Sequence, residues 1–124
     1  MNIQKLNECM EIIKRDLGDG LIASSIVSTA DAQTLVATEK SSPGAATIFN
    51  EVTAYIQKSL ASGPYPQLGR YYYLDLVGNK GLFFIPFGDY QWGIAIDTKK
   101  TKLGLLLNVV LPNIVNAFED AVTS

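Results

Sequence analysis

The residues best placed to do chemistry in this chain are aromatic. Tyr71-Tyr72-Tyr73, then Phe83-Phe84 and Trp92, supply rings at strand spacing. Such rings can stack on nucleic-acid bases or on each other. Base stacking needs a cationic groove along the phosphates, whereas this chain carries 10 Lys and Arg against 12 Asp and Glu, a net charge of −2. Nucleic acid is therefore not an expected partner. Cross-strand pairing in a core or an interface is the expected use of the rings. The longest basic cluster, Lys99-Lys100-Thr101-Lys102, reads as a solvated turn.

Catalytic chemistry has little to work with. Histidine is absent and Cys9 is the single cysteine. This removes the commonest general base, imidazole-dependent triads and any ordinary zinc site. Cys9 sits on the apolar stripe of the first helix and reads as a small core residue. Gly18-Asp19-Gly20 superficially suggests a phosphate loop, but it follows a helix and precedes a strand, the reverse of what such loops require. Asp31, Asp75, Asp89 and Asp97 are scattered over turns and strands, and Glu119-Asp120 reads as a polar helix face. No metal, cofactor or enzymatic activity is expected.

The elements that position these residues follow from periodicity. Ile3, Leu6, Met10, Ile13 and Leu17 recur at helical spacing, and Gly18 to Gly20 stops that helix. Leu21 to Ser28 and Gln33 to Glu39 read as strands joined through Thr29-Ala30-Asp31-Ala32. A second helix runs from about Pro43 to Ala61, with Ser42 as cap, Pro43 in its first position and Gly63-Pro64 ending it. Arg70 to Val77, Gly81 to Phe87 and Tyr90 to Asp97 are three more strands, turned at Gly78 to Gly81 and at Gly88-Asp89. The stripe Leu103, Leu106, Leu107, Val110, Ile114, Ala117, Phe118 and Ala121 closes the chain as a helix, which Pro112 should kink or split near Leu111. The order α-β-β-α-β-β-β-α makes residues 1–124 one α+β domain with five antiparallel strands layered by helices.

At 124 residues with 48% hydrophobic and 18% charged residues, the chain can bury an ordinary core. The N-terminus lacks the layout of a signal peptide. The greasiest stretch, Leu103 to Leu111, contains Asn108 and is shorter than a membrane span. A cytoplasmic protein without membrane insertion is expected.

The second helix is broader in its apolar face than a sheet requires. At roughly 100° per residue, Ala45, Ala46, Phe49, Val52, Ile56 and Leu60 form one stripe. Ile48 and Tyr55 widen it to about 180°, against the ~100° that one packed face needs. Thr47, Asn50, Glu51, Ala54, Gln57 and Lys58 are left for water. A helix of this kind meets its own sheet on one side and something else on the other, which points to protein binding.

Several local patterns resemble the roadblock family of dynein light chains and their bacterial relatives, over about Leu6 to Val122. They are Leu21 to Val27 followed by Leu35-Val36-Ala37-Thr38, then Leu82-Phe83-Phe84-Ile85-Pro86-Phe87, then Trp92 to Ile96 with Leu103-Gly104. Asp31-Ala32 in place of the usual Asp-Gly turn and Pro112 in the last helix depart from the family. The resemblance implies a profilin-like sandwich, with the second helix on one face of the sheet and the first and last helices on the other. It also implies a homodimer. The second helices would pair across a two-fold axis through Ile48, Val52, Tyr55 and Ser59, while the third strands join edge to edge through Tyr71, Tyr72 and Tyr73.

Members of this family typically scaffold or regulate small Ras-like GTPases, or serve as light chains on a motor subunit. The resemblance thus implies a non-catalytic dimeric module with a Ras-like GTPase or a larger assembly as partner. An arginine finger could come only from Arg15 or Arg70, which read more simply as a solvated helix end and a strand-flanking residue. The alternative is a small-molecule sensor, with Tyr73, Phe84 and Trp92 lining a cavity between sheet and helix.

Overall fold

The strands and helices follow the expected order, and the computed structural model describes residues 1–42 and 44–124. Helix α1 (Ile3–Leu17) passes through a 3-10 turn into β1 (Leu21–Ser28), followed by β2 (Thr34–Ala37) and α2 (Ala45–Ala61). Then come β3 (Tyr72–Leu76), β4 (Lys80–Phe87), β5 (Tyr90–Asp97) and a closing helix, α3 (Leu103–Thr123). The strands form one antiparallel sheet in the order β2-β1-β5-β4-β3. This arrangement leaves β2 and β3 as its edges.

Alternation sorts the sheet into two faces. Ile26, Phe83, Ile85, Trp92, Ile94 and Ile96 point to one side and are buried with Leu6, Cys9 and Ile13 of α1 and Ile114 and Phe118 of α3. The rings of Trp92 and Phe87 meet Phe118 edge-on at 5.7 and 6.5 Å. The indole N–H of Trp92 donates to the Ser24 hydroxyl at 2.6 Å, which satisfies its one polar atom. Burial pushes the Cys9 thiol up to about 11, helped by Glu8 and Asp120, so no thiolate is available at neutral pH.

Local chemistry sets the boundaries. Asn2 caps α1 by accepting the Lys5 N–H at 3.1 Å, and Gly18 ends it at φ +51°. Gly78 and Asn79 both adopt positive φ, 85° and 61°, which closes the three-residue turn between the paired Leu76 and Lys80. In the β1–β2 turn Ala32 takes φ 54° without being glycine. There Asp31 holds the loop by accepting the Gln33 N–H at 3.3 Å.

Two expectations need correction. Helix α2 starts at Ala45 with Gly44 before it and has no side-chain cap; Ser42 Oγ accepts the Gly44 N–H at 3.4 Å instead. Pro43, expected at the first helical position, lies outside the described residues. The β-structure of β2 and β3 is also shorter than the apolar runs suggested, and it leaves Arg70 and Tyr71 ahead of β3.

Pro112, expected to kink or split the last helix near Leu111, sits where the regular winding is interrupted. The turn before it, Leu106–Val110, winds as a π-helix, and α3 continues to Thr123. Proline offers no N–H to the Asn108 carbonyl and its ring crowds that turn; the wider winding makes room. By length and composition α3 is apolar enough to cross a membrane. Its inner side, including Leu106, Val110, Leu111, Ile114 and Phe118, is instead buried in the core.

Candidate interaction surface

Helix α2 is fixed to the other face of the sheet by one ring over one glycine. A β-carbon on Gly93 would stand 2.6 Å from Phe49 Cδ2 and closer still to Cε2, so only glycine lets the Phe49 ring settle on β5. The ring meets Phe84 edge-on at 5.0 Å, and Phe84 is in turn stacked on Tyr72 at 4.7 Å. Ala46 and Thr53 are the residues of α2 that are fully buried.

Beneath the helix runs a chain of polar side chains that hydropathy alone does not reveal. The Thr53 hydroxyl donates to Gln91 Oε1, and the Tyr72 hydroxyl lies 2.6 Å from the same Thr53 oxygen. Since Thr53 has one proton to give, Tyr72 is the donor to Thr53. Gln91 Nε2 donates to Asn50 Oδ1 at 3.3 Å, and Asn50 Nδ2 donates to the Ser28 carbonyl at 3.1 Å. Asn50, expected to face water, is thus turned toward the sheet. Gln91 is wholly buried. Burial lifts the Tyr72 phenol above its ordinary range, against the opposing effect of the Thr53 bond, so the phenol keeps the proton it donates.

Thr53→Val is expected to destabilise the fold by about 2 kcal/mol, because it leaves buried partners unpaired. Thr53→Ser should recover most of that loss. Urea midpoints at constant slope are the measurement.

The opposite side of α2 is open. Ile48, Val52, Tyr55 and Ser59 lie along one side of the helix, with Ile48 58% and Tyr55 74% exposed; Val52 is half-buried and Ser59 exposed. Beside them the sheet is incompletely covered: Leu74 and Leu82 are half-buried and Leu76 is exposed. A cleft of about 280 Å³ opens between the first turn of α2 and the sheet, with Ile48 at its rim and Ala95 and Leu82 in its floor. The Ser25 hydroxyl below is buried and has no hydrogen-bond partner among the described residues.

The residues expected to form the edge contact separate into distinct roles. Tyr72 points under α2 and is engaged in the polar chain. Tyr73 turns to the other face, lies across Gly81 and packs on Phe83 at 4.6 Å. Tyr71 sits just before β3 and is exposed. The backbone of β3 remains an outer edge. Leu74 and Leu76 belong to the same apolar surface and were missed, although the alternation Tyr72-Leu74-Leu76 carries the signal for them.

Other candidate groups are otherwise engaged. Arg70 pairs with Glu119 at 2.7 Å and Asn116 at 3.1 Å, and Arg15 pairs with Asp16 at 3.2 Å. Tyr73 and Trp92 lie on one face of the sheet and Phe84 on the other, so they line no common cavity. No cluster of metal-ligating side chains occurs among the described residues.

Solved structures of the same architecture are known. MglB of Myxococcus xanthus superposes with a TM-score of 0.78 at 12% identity, covering 94% of this chain and 86% of its own. The gliding protein MglB of Thermus thermophilus gives 0.68 at 15% identity, over 91% and 87%. A Roadblock/LC7 domain from Streptomyces avermitilis gives 0.58 at 10% identity, over 85% and 88%. No protein-family model matches the sequence, and no curated protein matches it significantly. At these identities the likeness establishes the roadblock fold.

Proposed function

We propose that this chain, built on the roadblock fold, is a dimeric interaction module that scaffolds or regulates a small Ras-like GTPase. One observation carries the dimer: α2 leaves Ile48 and Tyr55 largely exposed beside an apolar strip of sheet that ends at the unpaired edge β3. A second copy related by a two-fold axis covers all three at once. Its α2 lies against the first, and the two β3 edges pair into one continuous sheet. Burying Ile48 and Tyr55 contributes roughly 1.5–3 kcal/mol per side chain, and an isologous contact is the commonest closed symmetry. The partner class follows from the roadblock resemblance and is supported by the scarcity of catalytic groups. Such a module acts by holding the switch segments of a GTPase in one arrangement.

Light scattering at micromolar concentration tests the dimer. The wild type should have twice the chain mass, and introducing a charge with Tyr55→Asp should raise the dissociation constant about 10–100-fold, roughly 1.4–2.8 kcal/mol. A monomeric wild type would refute the dimer. For the partner, Ras-like GTPases from the same genome are passed over immobilised protein, loaded with GDP or with a non-hydrolysable GTP analogue. Retention that depends on the nucleotide is expected, and no retention in either state overturns the proposal.

A further inference from the structure

A second apolar surface lies on the far side of the sheet, where the dimer cannot cover it. Leu105 and Val109 are each 53% exposed, and Leu103 and Leu107 are 38% and 40% exposed. All four stand on the first turns of α3, around the π-helical segment that precedes Pro112. Leu103 and Leu107 lie on one shoulder of the helix and Leu105 and Val109 on the other, with exposed Gly104 and Asn108 between them. Lys99, Lys100 and Lys102 border them. The three lysines are exposed, and none has a carboxylate within ion-pair distance among the described residues. Of the acids on this side, Asp97 accepts the Lys99 N–H at 2.9 Å and faces Lys80, Asp16 pairs with Arg15, and Asp19 is exposed beside Gly20, where the Lys100 backbone packs. In a chain of net charge −2, this end of the molecule gathers three exposed lysines beside protruding aliphatic side chains.

We propose that the first turns of α3, together with Lys99, Lys100 and Lys102, dock this protein peripherally on an anionic bilayer surface. Charge complementarity selects the occupant, since lysines next to exposed leucines suit acidic headgroups over acyl chains. The depth is limited because the rest of α3 is committed to the core, so only the exposed side chains enter the interface. Flatness adds to the argument, and here it rests on the proposed dimer. A two-fold axis through paired β3 edges is perpendicular to the sheet, so both copies of α3 fall on one face and both copies of α2 on the other. The dimer then presents two such patches to one plane, and binding becomes bivalent.

Cosedimentation with vesicles of phosphatidylserine and phosphatidylcholine at about 3:7 is the test. The wild type is expected to bind these vesicles, to ignore pure phosphatidylcholine and to be released as salt rises to about 1 M. At about fivefold per lysine, Lys99→Gln with Lys100→Gln and Lys102→Gln should weaken binding about 100-fold. Leu105→Ser with Val109→Ser should weaken it about tenfold or more while circular dichroism stays unchanged, since both side chains are already half exposed. Wild type that stays in the supernatant overturns the proposal, as does binding unaffected by the lysine changes. The Tyr55→Asp variant separates the two readings. If it is monomeric, it should still prefer the acidic vesicles but bind at least about tenfold more weakly. A wild type that is monomeric yet binds them refutes the dimer alone.

Discussion

Gly93→Val is expected to cost about 3 kcal/mol or more and to lower the melting temperature by about 10–15 °C. The first added carbon would already overlap the Phe49 ring, at 2.6 Å from Cδ2, and that ring cannot slide away, because Phe84 stands against it at 5.0 Å. The helix must lift, and with it Ile48 and Tyr55 leave the position from which they would meet a second copy in the proposed dimer. The proposed dimer should therefore weaken along with the fold. Phe49→Ala in the same chain removes the collision, so the double variant should be more stable than the sum of the single losses predicts. Calorimetry on the four proteins of the cycle is the measurement. An additive cycle would contradict the ring-on-glycine account of how α2 is held.

Phe118→Ala should be as damaging, at about 3–5 kcal/mol, a large part of the roughly 5–15 kcal/mol by which domains are ordinarily stable. Phe118 is wholly buried and touches Trp92 and Phe87 edge-on at 5.7 and 6.5 Å. Its removal opens a cavity where α3, β4 and β5 meet and frees the Trp92 indole on one side. Trp92 is the only tryptophan, so its emission reports the change directly. A red-shifted spectrum and a lower denaturant midpoint are expected together. Phe118→Leu should retain most of the midpoint.

How far the sequence discloses this molecule depends on how local each cause is. Strands β1 and β5 have the expected limits, Leu21–Ser28 and Tyr90–Asp97, because turn residues bound them on both sides. The breadth of α2 was legible too, since Ile48 and Tyr55 exceed what one face can bury. Asn50 and Thr53 were not legible. A helical projection sends Asn50 to water and puts Thr53 on the buried stripe without showing its partner; what engages both is Gln91, thirty-eight residues beyond Thr53. Gly93 looked like an ordinary strand residue, because its role is defined by a ring on another element. Pro112 was legible, since an interior proline acts on the turn before it, and the winding changes just ahead of Leu111. The surface on α3 escaped because Leu103 and Leu107 read as part of the core stripe, and Leu105 and Val109 only as part of a greasy stretch, until the fold shows which side of the helix the core takes.

The polar chain under α2 carries a one-way polarity, because the Ser28 carbonyl at its inner end can only accept. That carbonyl turns the Asn50 amide nitrogen toward itself, which aims Asn50 Oδ1 at Gln91 and Gln91 Oε1 at Thr53. The last link commits the Tyr72 proton inward. At the edge strand the phenol therefore has only lone pairs left to offer. In a two-fold seam the same holds for the second copy, so two Tyr72 hydroxyls cannot bond to each other directly. A backbone oxygen at the end of β1 thus sets the hydrogen-bonding sign of the sheet edge at the other side of the domain. Whatever reaches Tyr72 there must come as a donor.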